Sequence, residues 1–140
     1  MTILELRRTL AGSVVTAGDN EWDAARLFHS GIGEPALIVL AAAIDDVRAA
    51  VRHASAEQLP VMVRSGGHSA WGEVHGGVTI DIAALHDVLV DGETVRIGGG
   101  ATWGHVAALL AQHGLGISSG DTASVGVGGL TLGGGIGWMT

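Results

Sequence analysis

The chain has 140 residues, a length typical of one domain that can bury most of a hydrophobic core. It contains no cysteine and no lysine, which excludes disulfides, thiolate metal sites, Schiff-base chemistry and the lysine of a triphosphatase phosphate loop. The formal net charge of −7 and the seven scattered arginines argue against binding to nucleic acid or to an anionic membrane surface.

The first residues do not resemble a secretory signal, because Glu5, Arg7 and Arg8 interrupt the apolar stretch that such a signal requires. The longest apolar run, Ala36–Ile44, is too short to span a bilayer. We therefore expect a soluble, cytoplasmic protein.

Short elements are predicted before the first long apolar run. Leu4–Leu10 is expected to form a helix that ends near Gly12, and Val14 and Val15 a brief strand. A second helix is predicted over Trp22–Phe28, with Asn20 as its N-cap.

The next segment predicts a βαβ unit. Ala36–Leu40 is a continuous apolar run of strand length, and Val61–Val63 reads as a short buried strand. Between them, Ile44–Ala54 carries a helical stripe of apolar residues, Ile44, Val47, Val51 and Ala54. A strand, a helix and a strand within about thirty residues form such a unit with a right-handed crossover.

The loop that follows is the most informative stretch of the chain. Pro60–Ser69 reads PVMVRSGGHS, in which Gly66 and Gly67 allow the backbone to approach a ligand closely. The N–H groups of residues 65–69 could form a nest for phosphate, with Arg64 adding a positive charge. The alternative is a simple turn between strands with a surface histidine. Because parallel sheets bind ligands at the carboxyl ends of their strands, the loop's position favours the phosphate site.

The second half is predicted to be mostly antiparallel, which makes the fold class α+β. The pattern indicates a strand, a hairpin with Asp91-Gly92 at its turn, and a helix capped by Thr102, over Val78–Ile82, Val88–Ile97 and Trp103–Ala111. The residues expected to face inward from that helix are Trp103, Val106, Ala107 and Leu110.

The last stretch, Gly120–Trp138, contains so many glycines that an ordinary helix or strand is not expected. Either a backbone pressed against a large flat ligand or a tight crossover between strands would require such a sequence. It does not match the dinucleotide fingerprint G-x-G-x-x-G, which argues against a Rossmann NAD site.

Of the seven histidines, only His68 lies in the phosphate-like loop. His75 has neither metal-ligand spacing nor a carboxylate partner in the sequence, and no metal site is predicted. The others are interpreted as surface or capping residues, namely His29, His53, His86, His105 and His113.

Four motifs in combination resemble the FAD-linked oxidases, which share the flavin domain of p-cresol methylhydroxylase (PCMH) and vanillyl-alcohol oxidase. They are VRSGGHS at Val63–Ser69, GGVTID at Gly76–Asp81, GGGATWG at Gly98–Gly104 and VGVGGLTLGGGIGW at Val125–Trp138. The sequence is most similar to the branch of berberine bridge enzyme and 6-hydroxynicotine oxidase. The likeness runs from about Glu5 to the last residue.

This resemblance implies FAD as the cofactor. The first loop would hold the pyrophosphate, and His68 would be joined to the 8α-methyl group of the flavin, since a neutral ring nitrogen can add to that carbon once the methyl has lost a proton. The second loop, from Asp121 to Gly135, would line the other side of the flavin. The implied cofactor-binding residues are Arg64, Ser65, Gly66, Gly67, His68, Ser69, Asp121, Thr122, Ser124, Val125, Gly126, Gly128, Gly129, Gly134 and Gly135.

Two departures from the branch point to a single covalent link. Thr122 stands where several members carry a cysteine that forms a second bond to the flavin. Leu130 stands where berberine bridge enzymes have a histidine. Both are typical of the singly linked 6-hydroxynicotine oxidase type.

The resemblance also implies that residues 1–140 are the N-terminal portion of a longer PCMH-type domain, truncated within its second subdomain. A βαβ subdomain would cover about residues 30–85, and an incomplete second one about 86–140. A separate substrate domain carries the catalytic base in this family, so no catalytic residue is expected here and the chain alone should be inactive.

The implied function is the FAD-binding part of an oxidase. It would transfer a hydride from a small organic substrate to covalently bound flavin and then to dioxygen. The alternative is a truncated remnant that binds no cofactor and catalyses nothing. A visible flavin spectrum of the purified chain would distinguish these two hypotheses.

Overall fold

The computed structural model describes residues 1–69 and 75–138. Its helices are α1 (Ile3–Thr9), α2 (Trp22–Ala25), α3 (Ile44–Ala56), α4 (Trp103–Ala111) and α5 (Val127–Gly133). Its strands are β1 (Ser13–Val15), β2 (Leu27–Phe28), β3 (Gly31–Ile32), β4 (Leu37–Leu40), β5 (Val61–Arg64), β6 (Val78–Asp81), β7 (Val88–Asp91) and β8 (Thr94–Ile97). Within the described ranges, no helix is long and apolar enough to cross a membrane.

A four-stranded sheet in the order β1-β4-β6-β5 organises the first half. Strands β4 and β5 both run parallel to β6, and β1 is antiparallel to β4. The predicted βαβ unit is present as β4, α3 and β5, with β6 inserted between its two strands. The buried core on this sheet consists of Leu6, Val14, Leu37, Val39, Ala41, Ala50, Ala54, Val78 and Ile80.

Strand β5 lies at the edge of the sheet, so the prediction of a buried strand at Val61–Val63 is wrong. Val61 is 42% exposed and Val63 is 55% exposed. The apolar run suggested burial on both faces, but β5 pairs with β6 alone among the described strands. Its carboxyl end still lies beside that of β6, where parallel sheets bind ligands.

Helix α3 begins and ends close to its predicted bounds, but only Val47 and Ala54 of its predicted apolar stripe contact the core. Ile44 is 65% exposed and Val51 is 46% exposed. The buried residues are Asp46, Ala50, His53 and Ala54, of which Ala54 belongs to the predicted stripe. The small alanines allow the helix to pack closely on the sheet, so the larger apolar residues that define the sequence stripe lie partly outside the contact.

Two of the buried residues on α3 are polar and have partners. The carboxylate of Asp46 accepts hydrogen bonds from the backbone N–H groups of Ala11, Gly12, Ala42 and Ala43 at 2.8–3.1 Å. These bonds tie α3 to the segments before β1 and after β4. His53 was expected at the surface, but its Nδ1 lies 2.9 Å from the carbonyl oxygen of Met1 and only 4% of it is exposed.

The helix predicted over Trp22–Phe28 is shorter, because α2 ends at Ala25 and the chain turns into the β2–β3 hairpin. Asn20 is not its N-cap, since Glu21 holds that position without a side-chain hydrogen bond. The backbone N–H of Gly33 donates to the carbonyl of Arg26 and closes the hairpin. Local hairpin pairing therefore outweighs the helical pattern here.

The second half has its own buried cluster, formed by Ala101, Trp103, Val106, Leu110 and Val127. Strands β7 and β8 form the predicted hairpin, but Asp91 pairs with Thr94, so the turn consists of Gly92, with a positive φ of 58°, and Glu93 instead of Asp91 and Gly92. The Thr102 hydroxyl caps α4 as predicted. Ala107, in contrast, is exposed, so its inward assignment is wrong. The boundaries of two subdomains, at about residues 30–85 and 86–140, stay a prediction.

Helix α5 contradicts the prediction that Gly120–Trp138 contains no ordinary helix. Val127 anchors the helix because its side chain is 7% exposed and packs in the second cluster. Gly128 packs so closely that a Cβ there would lie 2.9 Å from the carbonyl oxygen of Gly99. Tertiary packing thus outweighs the low helix propensity of glycine.

Candidate functional site

Two segments of the chain cross at the carboxyl end of β5. The first, loop 1, comprises residues 65–69, and the second, loop 2, comprises residues 121–126 before α5. A Cβ at Gly66 would lie 2.9 Å from the carbonyl oxygen of Ser124 and closer still to the nitrogen of Gly126. Only glycine permits this approach, so the glycines bring two distant parts of the chain into backbone contact.

Loop 1 turns sharply away from the sheet at Gly67, which has a positive φ of 68°. The Ser65 hydroxyl donates a hydrogen bond of 2.6 Å to the carbonyl of Gly99, which attaches the loop to the second half. The N–H groups of Gly66, Gly67 and His68 donate to no acceptor among residues 1–69 and 75–138. These donors are therefore available to an anion or another acceptor.

Arg64 is part of the scaffold. Its Nε donates to Asp81 at 2.7 Å across the β5–β6 pair, with both side chains largely buried. Its Nη1 donates to the carbonyl oxygen of Leu27. Because the Asp81 carboxylate compensates its charge, the expected positive charge beside the nest is reduced and the backbone N–H groups become the main attraction for an anion.

The two loops border an open cavity of about 470 Å³. Ten of the residues predicted to bind the cofactor line it, namely Arg64, Ser65, Gly66, Gly67, His68, Ser69, Val125, Gly126, Gly129 and Gly134. Four further lining residues were not predicted as binding residues, namely His29, Met62, Val63 and Leu130. Met62 and Val63 directly precede loop 1 in β5, and Leu130 lies between the predicted Gly129 and Gly134, so their positions in the chain could have suggested them, whereas nothing in the sequence marks His29.

The remaining five predicted residues lie elsewhere. Thr122 donates to the Asp121 carboxylate on the exposed part of loop 2. Gly128 packs against the Gly99 backbone, and Gly135 lines a second, smaller cavity beside Trp103. Ser124 is absent from the lining but contacts His68 directly.

His68 makes two side-chain contacts. Its Nε2 lies 2.9 Å from the Ser124 hydroxyl oxygen. Its ring stacks on that of His29, with centroids 4.4 Å apart and planes inclined by 19°. The interpretation of His29 as a surface residue is thus incomplete, because it is exposed but also borders the cavity.

No metal-binding cluster of three histidine or acidic side chains occurs in the described part of the chain. His75 does have a carboxylate partner, contrary to the sequence interpretation, since its Nδ1 lies 3.3 Å from Glu34. Both side chains are well exposed. This pair is therefore an ordinary surface contact.

The mixed sheet and the cavity at the carboxyl end of its strand β5 define a ligand-binding domain of the α+β class. Comparison with known proteins identifies the ligand class. Residues 35–140 match the model of a family described as FAD binding domain. The chain belongs to this family.

The relatives are FAD-linked enzymes. The chain is 33% identical over 138 residues to (R)-6-hydroxynicotine oxidase of Paenarthrobacter nicotinovorans, covering 94% of this chain and 30% of that protein. It is 37% identical over 135 residues to an FAD-dependent monooxygenase of Fusarium proliferatum, covering 93% and 25%. The chain therefore spans less than a third of the length of these relatives.

Solved structures show the same fold. The crystal structure of 6-hydroxy-D-nicotine oxidase from Arthrobacter nicotinovorans superposes with a TM-score of 0.88 at 32% identity, over 94% of this chain and 30% of that one. The structure of glucooligosaccharide oxidase from Acremonium strictum is described with a 6-S-cysteinyl, 8α-N1-histidyl FAD. It superposes with a TM-score of 0.87 at 29% identity, over 100% of this chain and 31% of that one. These matches confirm the resemblance to the PCMH-type oxidases and the predicted fold class.

Proposed function

We propose that this chain binds FAD in the cavity between loop 1 and α5, as the cofactor-binding part of an FAD-dependent oxidase. The observation that carries the proposal is the crossing of loop 1 and loop 2, which places His68 and backbone N–H groups without an acceptor among the described residues on one cavity. Bound FAD would accept a hydride from a small organic substrate and pass the electrons to dioxygen. We assign no catalytic residue to this chain.

The residues of the cavity fit the two ends of such a cofactor. The N–H groups of Gly66, Gly67 and His68 would hold the pyrophosphate. Val125 and Leu130 offer apolar surface to a flat ring, and Gly129 and Gly134 leave space beside it. Thr122, in place of a cysteine, cannot form a thioether, so we propose one covalent link, at His68.

This link makes a direct prediction for His68→Ala. The bond would join an imidazole nitrogen to the C8 methyl carbon, with loss of one proton from each, while the two electrons reduce the flavin and dioxygen reoxidises it. In the parent chain supplied with FAD, acid precipitation should leave yellow, fluorescent flavin in the washed pellet. In the variant the pellet should be colourless.

The matched control is His113→Ala, because His113 is exposed and distant from the cavity residues. This variant should keep the colour of the parent pellet. Flavin that washes entirely from the parent pellet would contradict the covalent link alone. A parent chain without any flavin absorbance would contradict FAD binding and favour a non-catalytic remnant.

Gly67→Val tests the turn of loop 1. Valine at the positive φ of Gly67 is strained by about 1–3 kcal/mol, so loop 1 should relax to another conformation. Its N–H groups would then no longer point toward one anion. Flavin content after reconstitution should fall to background. Two controls, Gly18→Val in an open turn and Glu57→Ala on the surface, should retain it. Equal flavin content in all three variants would mean that loop 1 is only a turn.

A further inference from the structure

Three side chains from separate segments meet at the edge of the cavity. His29 follows β2, His68 belongs to loop 1, and Ser124 belongs to loop 2. We propose that Ser124 and His29 are positioning residues that hold the His68 imidazole in one neutral tautomer and one ring orientation. This inference rests on the proposed function, since it concerns the nitrogen that would bond to FAD.

The contact between Ser124 and Nε2 of His68 allows either direction of the hydrogen bond, and the proposed link to FAD decides between them. A neutral imidazole carries its proton on one nitrogen and a lone pair on the other. When Nε2–H donates to the Ser124 hydroxyl, 2.9 Å away, the lone pair is on Nδ1. Nδ1 has no hydrogen-bond partner among the residues that the structure describes, so it is free to form a bond. The opposite arrangement, with serine donating, would put the proton on Nδ1 and leave no free lone pair.

Ser124 is itself held in place by the loop crossing. Its carbonyl oxygen lies so close to Gly66 that a Cβ there would be 2.9 Å away. The backbone of the next residue, Val125, is fixed as well, because its carbonyl oxygen accepts a hydrogen bond of 3.0 Å from the N–H of Trp103. The hydroxyl is therefore presented to His68 from a rigid backbone, which makes it suited to a positioning role.

His29 fixes the plane of the His68 ring. Its backbone N–H donates to the carbonyl of Gly67 at 2.9 Å, which attaches the β2–β3 turn to loop 1. This bond holds the two rings at 4.4 Å with nearly parallel planes. Stacking on one face and the Ser124 contact at the ring edge together restrict rotation of the imidazole, so that Nδ1 keeps one direction.

The tautomer can be tested without FAD. In the chain labelled with ¹⁵N-histidine, long-range ¹H–¹⁵N spectra at neutral to mildly alkaline pH should show His68 protonated at Nε2 and bare at Nδ1. Ser124→Ala should convert this signal to a mixture of tautomers, and Ser124→Thr should restore it because threonine keeps the hydroxyl. An unchanged tautomer in Ser124→Ala would overturn the role of Ser124.

The orientation is tested by the rate at which FAD becomes covalently attached. His29→Ala and Ser124→Ala should each slow attachment about tenfold, the size expected for one lost interaction. His29→Phe should recover most of the loss, since a flat ring restores stacking, while His113→Ala serves as the neutral control. Attachment in His29→Ala at the parental rate would overturn the role of His29.

The tautomer and attachment experiments distinguish failure of the proposed function from failure of the positioning role of Ser124 and His29. A parent chain that binds FAD but never attaches it contradicts the proposed covalent link, and a parent chain that binds no FAD contradicts the proposed function. In either case the His68 tautomer in Ser124→Ala still decides whether Ser124 positions the ring. A parent chain that attaches FAD normally, with both alanine variants unaffected, contradicts this inference and leaves the proposed function intact.

Discussion

Replacing Gly126 with valine is expected to separate the two loops and to abolish FAD binding. A Cβ at this position would overlap the Ser65 hydroxyl and the backbone nitrogen of Gly66. A shift of either loop that relieved this overlap would break existing contacts. The Ser65 hydroxyl donates a hydrogen bond to the carbonyl of Gly99, and Gly126 forms a β-bridge with Thr102. We expect a loss of about 3 kcal/mol in the free energy of unfolding, at the upper end for overpacking.

The measurement is chemical denaturation of both proteins together with flavin content after reconstitution. Gly133→Ala is the matched control, since Gly133 lies at the end of the same helix with open space around it. That control should keep full flavin content, with equal or slightly higher stability because alanine favours helix. A Gly126→Val protein with normal flavin content would show that the loops need not cross.

Asp46→Asn is expected to destabilise the first half more than any surface change. The Asp46 side chain is 2% exposed, and its carboxylate accepts four backbone N–H groups from two segments. Asparagine has one acceptor oxygen, so its amide nitrogen would face N–H donors and leave at least one of them unsatisfied. The expected loss is about 3 kcal/mol in the free energy of unfolding.

The same carboxylate makes stability depend on pH. Burial acts to raise the pKa of Asp46, but the hydrogen bonds from Ala11, Ala42, Gly12 and Ala43 outweigh it and hold the pKa below the ordinary 3.8. The folded form therefore binds its proton less readily than the unfolded form. The Asp46 carboxylate contributes its full stabilisation when the pH is above the pKa of this group in the unfolded chain. This stabilisation is lost as the pH falls through the pKa of the group in the folded chain. In Asp46→Asn this part of the acid dependence should disappear.

Asp45→Asn is the control, because Asp45 is the neighbouring residue, is 85% exposed and pairs with Arg48 on the helix surface. Its unfolding curve should stay within about 0.5 kcal/mol of the parent curve, as is usual for a surface change. If the two variants were equally stable between pH 3 and 7, the Asp46 network would not stabilise the fold. Unfolding midpoints in urea, measured across that pH range, provide the test.

Local signals in the sequence predicted much of the architecture correctly. Thr102 marks the start of α4 because its hydroxyl can bond the N–H of the first helical turn, an interaction within three residues. The β4–α3–β5 order follows from the alternation of apolar runs and a helical pattern. Each of these features depends on a few neighbouring residues, and such short-range physics can be read along the chain.

The contacts that these elements make with the rest of the chain were decided only by the tertiary structure. Helix α5 forms in a glycine-rich stretch because the Val127 side chain becomes buried. The free energy gained by this burial is not part of the helix propensity of the local sequence. Arg64 is neutralised because β6 places Asp81 beside it, although 17 residues separate the two in the chain.

The functional site depends most on such long-range placement. His29, His68 and Ser124 come together only when the β2–β3 turn and both loops reach the same edge of the sheet. Their motifs are separate in the sequence, so the sequence by itself determined the loops and the family, whereas the contacts around His68 required the packed fold.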